Sequence, residues 1–266
     1  MELKPLVVIS RENAASQNIR SALASMEKLV EKDKDYFEGA HFNMAVYDGS
    51  IIEIVPSHDA SYYIYASTHK SAANTKSLTV HTPGNWGSAD MGGKEKTLNV
   101  AYGSKMKIAL RKLKELKGLS AELKDWAVTL EVDHHGPTIG KPLFFIEIGS
   151  TESEWGIPIA GKIVAQAILE AIKSHETFQA CVGFGGTHYA PKFTPLALES
   201  DKAFGHIIPS YALEKGEISE EMVRQAIERN VEKMECALID WKGIKGAKRA
   251  ELIAVLDKMG VRWEKA

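Results

Sequence analysis

The sequence predicts an α/β protein with a mixed central sheet flanked by helices. Three observations carry that prediction. Short apolar runs of strand length alternate with longer stretches of helical period. Asp48-Gly49, the dipeptide favoured in two-residue turns, separates two such runs and adds an antiparallel pair to an otherwise crossover-connected pattern. No repeat, low-complexity tract or Ser/Pro-rich linker interrupts the alternation, so residues 1–266 are read as one domain.

In chain order, Leu6-Val7-Val8-Ile9-Ser10 reads as a buried strand. Ser10 and Asn13 offer N-caps for a helix from Ala14 to Glu31, with Ile19, Leu23, Met26 and Val30 on one face. Phe42–Tyr47 and Ser50–Val55 are the arms of the expected hairpin. Tyr62–Ser67 and Leu78–His81 read as strands. The segment Thr82–Lys96, rich in Gly, Pro, Ser and Asn, reads as a long loop of the functional kind. Ser104–Lys117 is an amphipathic helix ended by Gly118, with Lys105, Lys107, Arg111, Lys112 and Lys114 forming a basic face. Strands are expected at Trp126–Val132, Leu143–Ile148 and Ala180–Phe184. Helices are expected at Pro158–Ser174, Glu217–Cys236 and Lys248–Met259.

Composition narrows the function. A 44% hydrophobic, 26% charged chain of 266 residues is ordinary globular protein. Thirty-three basic against thirty-five acidic residues give a net charge of −2, so any nucleic-acid site has to be a local patch. The basic helix face is one candidate and Lys242–Arg249 a second. Cys181 and Cys236 build neither a disulfide framework nor a Cys-rich zinc site, and read as buried small hydrophobes. No stretch has the length of a membrane span, and no signal-peptide pattern opens the chain, so a cytoplasmic protein is expected.

The chemistry is expected where strands end, because ligands of α/β sheets bind beyond the carboxyl ends of strands. His81, the pair His134-His135 and His188 follow strand-like runs, and His206 stands in Phe204-Gly205-His206. Glu147 lies inside an apolar strand, where a carboxylate needs a metal, a histidine or an arginine. Imidazoles and carboxylates are the ligands of a catalytic zinc, which lowers the pKa of bound water. Adjacent residues of an extended chain point opposite ways, so one of His134 and His135 faces the site unless the turn redirects the other. His41, His58, His69 and His175 read as ordinary hydrogen-bonding histidines. Gly183-Phe184-Gly185-Gly186 lacks the spacing of a dinucleotide loop and instead suits close substrate approach or oxyanion stabilisation by the amides of Gly185 and Gly186.

Five segments in order give the chain a family resemblance: His81–Trp86, Glu131–Thr138, Glu147–Trp155, Gly183–Tyr189 and Gly205-His206. The sequence resembles the archaeal and plant type of D-aminoacyl-tRNA deacylase. The resemblance implies a phosphorylase/hydrolase-like α/β fold. It implies hydrolysis of the ester between a D-amino acid and the 3′-terminal ribose of tRNA, with Zn2+ and broad side-chain tolerance. The expected ligands are a subset of His81, His134, Glu147, His188 and His206. Expected proton carriers are His135, Glu152 or Glu154, and the basic helix is expected to contact tRNA. A monomer is expected. The competing expectations are a zinc peptidase or amidase on the same fold, and a metal-free RNA-binding module. A nucleoside phosphorylase ranks last, because arginine is scarce in these loops.

Overall fold

The structure is a computed structural model, and it describes residues 3–72 and 74–266. The chain folds as β1 (Leu6–Ser10), α1 (Ala14–Met26), β2 (Val30–Asp33), β3 (Tyr36–Glu38), β4 (Asn43–Tyr47), β5 (Tyr63–Lys70), β6 (Ser77–His81), β7 (Gly84–Asn85), β8 (Thr97–Leu98), α2 (Gly103–Leu119) and β9 (Ala127–Leu130). It continues as β10 (Leu143–Ser150), α3 (Glu152–Trp155), α4 (Pro158–Lys173), β11 (Gln179–Phe184), α5 (Phe193–Glu199), β12 (Lys202–Ile208), α6 (Ser210–Glu214), α7 (Glu220–Glu228), β13 (Cys236–Ile239), α8 (Gly246–Lys258) and β14 (Trp263–Lys265). Two compact units result, each assembled from three chain segments. The first takes Met1–Val80, Ile108–Thr129 and Leu143–His175; the second takes His81–Lys107, Leu130–Pro142 and Glu176–Ala266. Their boundaries fall within or beside regular elements rather than in long linkers.

The first unit holds a mixed eight-stranded sheet in the order β2-β3-β4-β1-β5-β10-β6-β9. β1 pairs parallel with β4 and β5, and β10 pairs parallel with β5. Antiparallel pairing joins β2 to β3 and β3 to β4. The strands β1 and β10 are buried along their whole length, as expected of parallel strands covered on both faces. α1 packs on β1 and β5, and α4 packs on α1 and β10. Asn13 caps α1 by accepting from the Ser16 amide. Ile19 and Leu23 are fully enclosed, each worth roughly 1.5–3 kcal/mol of burial. At Gly161 a Cβ would lie 2.2 Å from the Asn18 amide oxygen, so only glycine lets α4 approach α1 there.

Three elements depart furthest from the sequence expectation. The first helix stops at Met26, where Glu27 N–H closes on Leu23, and Val30 enters the exposed edge strand β2. Residues 50–55 do not return as a hairpin arm. Ile51 and Ile54 are the buried positions, a spacing of three that suits turns, and β4 takes β3 as its antiparallel partner. The helix expected from Glu217 to Cys236 ends at Glu228, and Cys236 opens β13, whose four residues are all buried.

The second unit holds a parallel four-stranded sheet in the order β12-β11-β13-β14. Its core gathers Phe184, Ile208, Leu213, Val223, Ile239 and Leu252 from strands and helices of this unit. The register of β11 against β12 shifts between Cys181 and Val182, leaving Gly205 as the extra residue before His206. Within the expected loop 82–96, Gly84–Asn85 pairs antiparallel with Thr97–Leu98.

Candidate active site and metal centre

The second unit brings four histidines and two carboxylates together. His81 is the last residue of β6, and Glu131 and Asp133 follow β9. His134 and His135 form the turn after them, and His188 follows β11. His134 Nδ1–H donates to the Val132 carbonyl at 2.8 Å, and His135 Nδ1–H to the Gly136 carbonyl at 2.5 Å. Each therefore presents Nε2 with its lone pair. His81 Nε2 lies 3.1 Å from His135 Nε2, so the proton of this bond belongs to His81, and its Nδ1 also carries a lone pair.

Three imidazole nitrogens surround Glu131. Its Oε2 lies 3.2 Å from His188 Nε2, 3.5 Å from His134 Nε2 and 3.9 Å from His81 Nδ1. Charged hydrogen bonds are shorter, at about 2.7–2.9 Å. Ligand atoms about 2.0–2.2 Å from a tetrahedral zinc are separated by about 3.3–3.6 Å. The spacing and donor types of Glu131, His188 and His134 thus fit a metal better than they fit direct bonds. His81, His134 and His135 also offer nitrogens within 4.8 Å of one another. These are buried His/Glu groups of a kind that can hold a metal ion.

The turn answers the question of which histidine faces inward. His135 has φ +48°, the left-handed region that histidine tolerates better than most side chains. The chain therefore reverses there, and the two rings lie 4.4 Å apart, centre to centre. His81 stacks on His134 at 4.5 Å. Burial, and then the neighbouring His134, push His81 well below the usual imidazole range and His135 down to about 3. Both rings are neutral at working pH, the state a metal ligand or its orienting partner requires.

His206 does not join this group. Its Nδ1 bonds Asp133 Oδ2 at 2.5 Å and its Nε2 bonds the Arg229 carbonyl at 2.9 Å. Burial would lower its pKa, but the charge and hydrogen bond of Asp133 prevail and raise it. A ring donating from both nitrogens has no lone pair for a metal, so the expectation of a ligand is replaced by that of a clamp. Asp133 completes the clamp, accepting from Ile207 N–H at 2.7 Å and donating its own N–H to Ile207 O at 2.8 Å.

Other expected site residues have partners of their own. Glu147 belongs to the first unit, where its Oε2 lies 3.6 Å from His69 Nδ1 and 3.5 Å from Thr79 Oγ1. The partner that a buried carboxylate needs includes His69, which the sequence reading had set aside. Glu152 is exposed in the same unit. Glu154 closes a capping box, accepting from Thr151 N–H at 2.9 Å, Thr151 Oγ at 2.7 Å and Ser153 Oγ at 2.6 Å. Burial raises its pKa, yet those bonds together hold it below the usual carboxylate value, unsuited to carrying a proton at neutral pH. The Gly185 amide is committed to Ile208 O at 2.8 Å and so does not serve an oxyanion, while the Gly186 carbonyl accepts from Ser210 N–H at the start of α6. At Gly185, φ is +108° and a Cβ would meet Asp240 at 2.9 Å.

The basic face of α2 is smaller than expected. Lys105 and Lys107 are buried at 6% and 3% exposure. Lys105 sits 5.8 Å over the Tyr102 ring and Lys107 4.4 Å over Phe178, and Lys107 donates to the carbonyls of Ser200 and Lys202. Arg111 and Lys114 are exposed; Lys112, half-buried, pairs with Glu115 at 3.0 Å.

A cavity of about 680 Å³ opens beside the histidine turn, within the range of small-molecule sites. Asp133, His134 and His135 line it with Trp86, Met91 and Tyr211. The sequence reading left Glu131, Asp133 and Tyr211 without roles. For the first two the signal was two carboxylates, two residues apart, continuing an apolar strand.

Comparison with known proteins places this geometry. The family model for D-aminoacyl-tRNA deacylase matches residues 56–264. The chain is 38% identical to the D-aminoacyl-tRNA deacylase of Thermococcus kodakarensis, over 97% of this chain and 98% of that one. It is 35% identical to that of Methanocaldococcus jannaschii, over 99% and 100%. A solved crystal structure of a conserved protein of unknown function superposes with a TM-score of 0.91 at 32% identity, covering 100% of this chain and 96% of the other. Among the described residues, no helix is long and apolar enough to cross a membrane. With the matched model spanning most of its length and relatives aligned nearly end to end, the chain belongs to the D-aminoacyl-tRNA deacylase family.

Proposed function

We propose that this protein hydrolyses the ester joining a D-amino acid to the terminal ribose of tRNA, at the histidine turn and with zinc. The observation that carries the reading is the set of imidazole nitrogens from His81, His134 and His188 around the Glu131 carboxylate, next to a cavity of about 680 Å³. Glu131 and two of these imidazoles are the proposed zinc ligands, leaving the fourth tetrahedral position open to water. When bound there, the ion supplies Lewis acidity and a water of lowered pKa. Glu131 contributes the negative charge that neutral imidazoles lack. His135 orients His81 through their shared proton, with its own Nδ1–H fixed on Gly136. The Asp133–His206 clamp holds the turn against β12. The cavity walls exclude water from the ester and seat the aminoacyl group.

Broad side-chain tolerance is part of the reading, supported by a cavity large enough for varied side chains. Discrimination then falls on the geometry at Cα, where exchanging hydrogen and side chain drives an L-residue into a wall. Of the α2 basic residues, Arg111, Lys112 and Lys114 are the proposed tRNA contacts. The proposed setting is the cytoplasm, where charged tRNA is used.

The test is release of D- against L-tyrosine from charged tRNA, with and without a chelator, alongside metal analysis. Wild type is expected to carry zinc and to release D-tyrosine only. His134→Ala with His188→Ala is expected to lose the metal and at least ~10²-fold in rate. Undiminished turnover and zinc content in that double variant would overturn the assignment.

A further inference from the structure

The proposed substrate has two parts to seat, the aminoacyl ester and the nucleotide that carries it. α6 holds two bulky side chains of opposite fate. Leu213 is buried at 1% and anchors the helix, whereas Tyr211 is 46% exposed and lines the cavity. The backbone beneath Tyr211 is fixed. Ser210 N–H donates to Gly186 O at 3.0 Å, and Ser210 Oγ to Gly243 O at 2.6 Å. A pinned backbone that presents an aromatic ring toward a cavity is a stacking surface in waiting.

Its surroundings point the same way. Among the described residues, seven large apolar side chains are exposed, and of these Met91 and Tyr211 line this cavity. Met91 O accepts from Gly136 N–H at 3.1 Å, which ties that wall to the histidine turn. Tyr211 shares the cavity lining with Asp133, His134 and His135, and its phenol, pushed up by burial and then by the charges of Asp133 and Glu131, stays neutral. The rim carries both signs, Lys96 and Lys215 against Asp90, Glu95 and Glu217, so charge does not select a phosphate there. A flat, neutral ring selects a flat partner.

We propose that Tyr211 is the stacking platform for the adenine base of the tRNA 3′-terminal nucleotide, setting the ester beside His134 and His135. This inference rests on the deacylase reading, and the chemistry it adds is recognition of a purine nucleoside. Base–aromatic stacking tolerates loss of the hydroxyl and does not tolerate loss of the ring.

The experiment compares Tyr211→Ala and Tyr211→Phe in the full chain, reading KM and kcat on D-tyrosyl-tRNA and calorimetric binding of free adenosine and cytidine. Tyr211→Ala is expected to raise KM and weaken adenosine binding by roughly tenfold each, with kcat within about threefold of wild type. Tyr211→Phe is expected to match wild type, and cytidine to bind more weakly than adenosine. An active wild type whose KM and adenosine affinity ignore Tyr211 overturns the platform and leaves the deacylase reading intact. Equal losses in the Phe and Ala variants also overturn it, because the hydroxyl rather than the ring would then carry the effect. A wild type that binds adenosine through Tyr211 yet releases no tyrosine supports the platform and overturns the deacylase reading.

Discussion

Removing the His206 ring separates a structural clamp from a metal ligand. In His206→Ala the Asp133 carboxylate loses its 2.5 Å partner, and the Arg229 carbonyl loses a donor at 2.9 Å. The pair is enclosed, with side-chain exposures of 0% and 2%, so solvent does little to compensate. Breaking a buried pair from one side costs about 3–5 kcal/mol. At roughly 2–4 °C per kcal/mol for chains of similar size, the unfolding midpoint falls by roughly 6–20 °C. The assay is calorimetric unfolding in a chelator, so that no metal contributes, with metal content measured separately on unchelated protein. Asp133→Ala alone and the double variant complete a cycle, in which the two losses are expected to be far from additive because both delete one interaction. A chelated His206→Ala that unfolds within about 2 °C of wild type, while its metal content collapses, would refute the clamp and restore the ligand role.

Three further outcomes follow from particular contacts. Lys107→Met is expected to lower stability while leaving the salt dependence of tRNA binding unchanged, because its ammonium lies over Phe178 and on the carbonyls of Ser200 and Lys202; Arg111→Ala, at an exposed position, is expected to flatten the slope of log affinity against log salt by about 0.7–0.9. Glu154→Ala is expected to cost about 0.5–2 kcal/mol in chemical denaturation through loss of the capping box, with kcat unchanged, and a fall in kcat of about a hundredfold would return Glu154 to the chemistry. Gly185→Ala is expected to destabilise by about 1–3 kcal/mol or more, since φ is +108° and the new Cβ would meet Asp240 at 2.9 Å, whereas Gly186→Ala, at φ +90° but with its nearest neighbour at 3.8 Å, is expected to cost less; equal midpoints for the two would contradict that ranking.

Local pattern was enough for most elements. Leu6–Ser10 is strand β1 to the residue, and Pro158–Lys173 keeps its helix with proline in the first turn. Periodicity misled where two signals overlapped. Val30 extends a helical stripe and also fits an edge strand, and pairing of β2 with β3 decided the matter. Glu217–Cys236 keeps an apolar content that suits a helix, but Cys236-Ala237-Leu238-Ile239 is held as a strand by parallel pairing with β11.

By itself the sequence determined the class of the fold, the family through its ordered segments, and the residue types from which a site would be made. It did so because hydrophobic period and residue chemistry are local properties. Tertiary structure alone decided which side chains meet. It put Glu131 among three imidazoles and locked both nitrogens of His206. It turned His135 inward through a left-handed residue and sank two lysines of the basic helix. Those outcomes depend on strand register, on the partners Asp133 and Arg229 of His206 and on burial, and these are set largely by residues tens of positions away in the chain.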